Sequence, residues 1–207
     1  MSTVVQFTPP PAAPEPPAVP GSPPPVPATH RQIQAGSRWL SWLFTALLIG
    51  GGAIAAVLIV GILVYPGDDL RIGSDAVWLG SGSADSVAFH TLPLGQRLAY
   101  ALVGVVRTAP TLLIFWHLRG LFGLYAAGQV FTPGNARHLG RIGVWLCAYA
   151  VAPFLCHLFL QATGYEIDRR WMHLSSVQAL VLGLLVFVIA QVMQVGHEIE
   201  QDREAFV

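Results

Sequence analysis

Arg107 is the one charged residue placed inside a long apolar stretch of this 207-residue chain, about ten positions from either end of it. At the centre of a bilayer an arginine costs on the order of 2.5–3.5 kcal/mol on insertion scales, so its side chain is expected to face neighbouring helices or water. No Asp or Glu shares an apolar stretch with it. Its expected partners are the Val106 carbonyl, which Pro110 leaves without a helical donor, or the Tyr149 hydroxyl. Two readings follow: an anion or proton pathway through Arg107, or a structural arginine that ties helices together.

The remaining reactive side chains match no catalytic or metal pattern. His117 and His157 fall near opposite ends of two different apolar stretches and should differ in depth by about 15–20 Å, too far to share a ligand. His90 and His173 are nearer to the level of His157, but their spacing fits no metal motif. Cys147 and Cys156 would lie about 13 Å apart on one helix, beyond disulfide reach, and read as packing residues. Ser175 and Ser176 sit at a helix start, and no Gly-x-Ser-x-Gly, HExxH or phosphate loop occurs. The expectation is therefore a non-enzymatic protein with no cofactor and no metal.

The elements that position these residues follow from composition. Hydrophobic residues make up 54% of the chain, charged residues only 11%, and the mean hydropathy is +0.58. Those values point to a membrane protein. Acidic and basic residues balance at 11 each, so no bulk charge draws the chain to nucleic acid.

Residues 1–37 are expected to form a disordered, cytoplasmic proline-rich tail, because 11 of the 16 prolines fall between Pro9 and Pro27. Residues 38–207 are expected to form an all-α four-helix transmembrane bundle, with spans at about 39–64, 98–118, 142–163 and 174–195. The first of these holds 26 residues without a charge, about 39 Å as a helix, which exceeds a signal-peptide core. Its small residues, Gly50-Gly51-Gly52, Ala56 and Gly61, suit close helix packing. The polar stretch from Pro66 to Arg97 reads as an exposed loop with a short extended piece at Val77-Trp78-Leu79, and Thr91 with Pro93 as a helix start with Thr91 as cap. Pro110 and Pro153 are expected to kink the second and third spans.

Between the second and third spans the chain reads as a helical hairpin. Gly128 supplies a left-handed helix end, Thr132 an N-cap, Pro133 a first helical position, and Asn135 a side chain able to bond back to exposed backbone. Phe131 stands where a hydrophobic staple would begin, with Ala136 as its small partner. With four spans both termini share one side. Arg31, Arg38, Arg119, Arg137, Arg141 and Arg203 collect there against Arg71, Arg97, Arg169 and Arg170 on the other side, which places the hairpin and the termini in the cytoplasm.

The hairpin from Gly128 to Gly143, with Phe131-Thr132, Asn135 and Ile142-Gly143, resembles a pattern G-x-x-F-T-x-x-N-x-x-x-L-R-x-I-G of small four-span bacterial membrane proteins classed as domain of unknown function 2975. The ending Gly196-His197-Glu198-Ile199-Glu200-Gln201-Asp202-Arg203-Glu204-Ala205-Phe206-Val207 is similar to that family's acidic terminus. The resemblance covers the chain from about Trp39 onward. Gly140 stands where the family has Arg, with Arg141 next to it, and Phe206 replaces a Thr. The resemblance implies a four-span fold in a bacterial inner membrane. It brings no established activity, and the helix-turn-helix regulators that accompany such genes suggest a signalling partner.

The residues expected to carry function are Arg107 in the second span, Phe131, Thr132, Asn135, Arg137 and Arg141 in the hairpin, and Glu198 and Asp202 in the tail. The expected partners are the lipid bilayer, a cytoplasmic regulatory protein held by hairpin and tail, and a second copy of the chain, with no direct contact to nucleic acid. The alternative is a small transporter or channel with Arg107 in its pathway.

Overall fold

A computed structural model describes residues 28–73, 77–80, 86–129, 132–165 and 174–205; within them, the side chains of 28–34, 174 and 197–205 are left undescribed. Four long helices dominate: α1 (Ala28–Val64), α2 (Leu94–Ala126), α3 (Pro133–Thr163) and α4 (Leu174–Ala205). Each contains a stretch long and apolar enough to cross a membrane. The chain is thus built as a four-helix, multi-pass membrane protein. In hydrocarbon the backbone must satisfy its own hydrogen bonds, which keeps α1 helical through Gly50-Gly51-Gly52 and α2 and α3 helical through Pro110 and Pro153.

Helix α1 begins at Ala28, ahead of the boundary that composition places at residue 38, and α4 runs through the acidic stretch to Ala205. The proline-rich residues 1–27 lie outside the described residues.

Packing follows chain order: α1 lies against α2, α2 against α3, and α3 against α4. The buried share of the most apolar window is 22% in α2 and in α3 but only 6% in α1 and 11% in α4, which makes α2 and α3 the middle of the row. The outward faces carry exposed Ile49, Ile54, Val57, Val181, Leu184 and Val188, side chains suited to lipid. Gly51 faces Leu112 and Gly104 faces Ile59, where an added Cβ would come within 3.5 and 3.8 Å, in keeping with an antiparallel register of α1 and α2. Phe44 adds stacking on Phe122 (centroids 5.6 Å apart) and a tilted contact with Phe115 (6.1 Å).

At the hairpin end Trp39, Trp42 and Trp116 are all more than half exposed, and Ser41 Oγ donates to the Arg119 carbonyl at 3.4 Å, so the three indoles share one level. Such a ring of tryptophans suits a membrane–water boundary.

The opposite end departs from the exposed loop that the polar composition suggests. Strands β1 (Leu70–Ile72), β2 (Val77–Leu79) and β3 (Val87–Ala88) form a small antiparallel sheet in the order β2-β1-β3, with Ile72 opposite both Val77 and Val87. Leu70 and Ile72 point inward and, with Phe89, join Ile62, Tyr100 and Leu160 in one apolar core. Period-two alternation over three residues is too short to stand out among Asp, Gly and Ser, which explains why only β2 is legible beforehand.

Arginines lock this cap in place. Arg71 donates through Nε to Ser86 Oγ at 2.9 Å and through a terminal nitrogen to the Ser86 carbonyl at 2.6 Å. Arg97 reaches the carbonyls of Leu92, Leu63 and His90. Asp68 sits 3.5 Å from the His90 ring, and Asp69 accepts from the Tyr65 hydroxyl at 3.1 Å, a bond that, with the carboxylate's charge, holds that hydroxyl above its ordinary pKa. Thr91 is not the cap of α2: its hydroxyl donates back to Ala88, and Pro93 takes the cap position, its carbonyl accepting from Gln96 and Arg97.

Candidate functional site

Two places among the described residues are taken as candidate sites: the hairpin between α2 and α3, and a cavity beneath the sheet.

Helix α2 closes on a Schellman turn. Gly128 adopts φ +79°, its N–H donates to the Tyr125 carbonyl at 3.0 Å, and the Gln129 N–H donates to the Leu124 carbonyl at 3.0 Å. Thr132 has the extended backbone of an N-cap and Pro133 follows it at the first helical position. The Thr132 hydroxyl makes no cap bond, because the Asn135 N–H that it would receive is taken by Thr132's own carbonyl at 2.9 Å. Asn135 is fully buried and its Nδ2 donates to the Gln129 carbonyl at 2.7 Å, so it closes the loop on itself, bonding back to backbone as expected but across the turn. Arg137 and Arg141 remain exposed on the same helix. Phe131 lies outside the described residues, as do the side chains of Glu198 and Asp202.

Behind this loop stands a pair of histidines. His117 Nδ1 and His138 Nδ1 are 3.3 Å apart, one ring donating to the other, with His117 only 6% exposed. His138 lies over the bare backbone of Gly120, where a Cβ would fall 2.6 Å from its Cε1. Arg119 sits on the Trp116 ring at 5.8 Å. From Ser86 to Tyr165 the sequence contains no acidic residue, so this end of α2 and α3 carries only positive charge. The histidine pair was missed by reasoning from depth, which compared His117 with His157. The signal was present: the two residues stand eleven positions before and ten after Gly128, so a hairpin folding there brings them face to face. Among the described residues no three His, Cys, Asp or Glu side chains gather in a metal-binding group.

The second place is a cavity of about 150 Å³ between α1, α2, α3 and the sheet. Its walls are apolar, from Ile72, Phe89, Val103 and Leu160 among others, and Arg107 brings the one charged side chain into its lining. Side chains of a helix tilt toward its N-terminus, and the N-terminus of α2 lies at the sheet end. That tilt carries the guanidinium up from mid-span toward the cap. Tyr149, on α3, is exposed. Cys147 and Cys156 are both free, as their spacing requires.

Gly128, Thr132 and Asn135, which organise the hairpin, and Gly143 are also fixed positions of the pattern noted above, and the model of a family described as proteins of unknown function, DUF2975, matches residues 74–207. The chain belongs to that family. In this DUF2975 protein the match starts within the sheet, so α1 and β1 lie ahead of it and the resemblance from Trp39 onward narrows accordingly. No curated protein and no solved structure matches the chain. Position 140 of this DUF2975 member faces the buried Ala190 of α4, where a Cβ would make an ordinary 3.7 Å contact, whereas Arg141 is exposed.

Proposed function

We propose that this chain is a non-enzymatic protein of a bacterial inner membrane, with both termini and the hairpin in the cytoplasm, that regulates or tethers a cytoplasmic protein. The contact surface is the hairpin from Gly128 to Arg141 together with the tail from Gly196 to Val207. The observation that carries this reading is the build of the hairpin: a buried Asn135 and the bonded pair of the buried His117 and the half-buried His138 hold the loop while Arg137 and Arg141 stay exposed. A surface fixed in this way loses little entropy on binding. The absence of acid from Ser86 to Tyr165 leaves the hairpin part of that surface positive beside the acidic tail, and the tryptophan level beside Arg119 suits a membrane–water boundary there.

The test is recovery of a partner by the full chain solubilised in detergent, with two variants run in parallel. Truncation before Gly196 and the pair Arg137→Glu with Arg141→Glu should each abolish recovery of a band that the intact chain retains. Equal recovery by all three proteins overturns the reading. Reporter fusions to each terminus and to the 128–132 turn check the orientation. A second reading, a small transporter or channel, draws on Arg107 in the cavity lining; liposome flux that Arg107→Ala leaves unchanged counts against it.

A further inference from the structure

We infer that the groove between α3 and α4 holds an anionic phospholipid of the leaflet on the hairpin side, with an acyl chain in the groove and the headgroup phosphate against Arg141. The inference stands apart from the hairpin reading: a chain that recovers no cytoplasmic protein can still select this lipid.

The groove comes from glycine. Gly143 and Gly183 bring the two backbones together, since a Cβ on Gly143 would lie 2.8 Å from the Gly183 carbonyl oxygen. Larger neighbours stand to the side and leave a trough of about 230 Å³ lined by Gly143, Val144, Cys147, Leu184 and Phe187. A cavity of about 150 Å³ takes benzene, so a run of methylene groups fits here. Val144, Leu184 and Phe187 are exposed, so the trough opens to the lipid beside the row of helices. An acyl chain lying in it meets apolar walls and leaves no polar group without a partner.

Position on the helix supplies the charge. Arg137, Arg141 and Val144 follow at spacings of four and three, which puts them on one stripe of α3, and Val151 and Leu155 continue it. All five are exposed, two arginines above three aliphatic side chains. Height agrees. His138 lies over Gly120, so Arg141, three residues deeper on α3, comes level with Trp116, four deeper on α2, to within about 1.5 Å. Trp116 belongs to the tryptophan level that suits the membrane–water boundary, where lipid phosphates lie.

Chemistry then selects the lipid. A guanidinium pairs with a phosphate through two parallel N–H donors. At the hydrated boundary it does so without burying an unpaired charge. Carboxylates are distant along the chain: none occurs from Ser86 to Tyr165, and on α4 Glu198 stands eight residues beyond Ala190, which faces Gly140, a separation of about 12 Å along the axis. A zwitterionic lipid brings the same phosphate with a cation that Arg137 and Arg141 repel. A net negative headgroup is therefore favoured, by about fivefold for an arginine at the surface.

The experiment places the full chain in phosphatidylcholine liposomes and measures, by electron spin resonance, the motionally restricted fraction of chain-labelled phosphatidylglycerol and of chain-labelled phosphatidylcholine. Phosphatidylglycerol should associate at least fivefold more strongly, and glycerol phosphate, a headgroup without chains, should not displace it. Arg141→Gln should lower the selectivity about fivefold, and Arg141→Lys should retain part of it. Val144→Trp, which fills the groove and keeps both arginines, should remove the selectivity while circular dichroism stays unchanged, whereas Val57→Trp on the outward face of α1 should leave it intact. Equal association of the two lipids with the wild-type chain overturns the proposal. So does selectivity that Arg141→Gln or Val144→Trp leaves unchanged, displacement by glycerol phosphate, or a change of oligomeric mass with Val144→Trp, which would give the groove to a second copy of the chain.

Discussion

Gly143 of α3 and Gly183 of α4 meet backbone to backbone: a Cβ on Gly143 would lie 2.8 Å from the Gly183 carbonyl oxygen, and one on Gly183 would lie 2.9 Å from that of Gly143. Neither position has room for a methyl group. The contact helps hold α4, which among the described residues packs mainly on α3, in the row. Close approach of this kind is what small residues allow between membrane helices, where lipid gives apolar side chains no reason to prefer each other. Gly143→Ala and Gly183→Ala should each force the helices apart and lower stability by about 1–3 kcal/mol, with Leu worse than Ala at both sites. Melting midpoints in detergent measure this, and unchanged midpoints for both Ala variants would show that the helices do not touch there.

The ring of His138 rests on Gly120 and bonds to His117, so the three residues should behave as one unit. Gly120→Ala should displace the ring and destabilise the chain. In a His138→Ala background the same change should be neutral or gain roughly 0.5–1 kcal/mol, the usual benefit of Ala over Gly inside a helix. The coupling in this double-mutant cycle should reach about 1 kcal/mol or more. Additive effects would refute the pairing.

Asn135, itself fully buried, holds the hairpin through a part-buried bond to the Gln129 carbonyl. Replacing it by Ala should cost about 0.5–1.5 kcal/mol, the net worth of a typical intramolecular hydrogen bond. Asn135→Asp should be no better, since a carboxylate offers that carbonyl no donor. Gly128→Ala should cost roughly 1–2 kcal/mol through its left-handed backbone. Limited proteolysis of the 128–132 turn reports both changes as faster cleavage.

Arg97 gathers carbonyls from three segments: Leu63 at the end of α1, His90 in the turn after β3, and Leu92 before α2. Arg97→Ala should loosen the cap as a whole, at about 1.5–3 kcal/mol for each charge-assisted bond that water does not replace. Arg97→Lys should recover only part, because an ammonium cannot fan out across three acceptors. Hydrogen exchange at residues 86–93 should rise in the Ala variant. Protection equal to the wild type would mean that the sheet is held by its apolar face alone.

Along the hairpin, local rules were enough. Gly128 ends α2 and Pro133 starts α3 because left-handed backbone and a missing N–H are properties of single residues, readable wherever they stand. Thr132 shows the limit of such rules, since its hydroxyl lost the Asn135 N–H to a carbonyl of the same residue. Thr91 shows it again: the Pro93 carbonyl took the capping role and the Thr91 hydroxyl turned back to Ala88. The polar loop hid a sheet because Leu70, Ile72 and Phe89 acquire their meaning only against Ile62, Tyr100 and Leu160, residues distant in the chain.

By itself the sequence determined the number of membrane-crossing helices, their approximate extents, the hairpin between the second and third, and the isolation of Arg107 among apolar neighbours. All of these rest on hydrophobic periods and on the conformational limits of Gly and Pro, which act within a few residues. Only the tertiary structure decided that His117 meets His138, that Gly143 meets Gly183, and that Arg107 reaches a cavity roofed by strands. Those are contacts between helices, and helices in a membrane choose their rotation and register by packing and by scarce polar bonds. No single segment carries that information, because it arises from the shapes of two surfaces together.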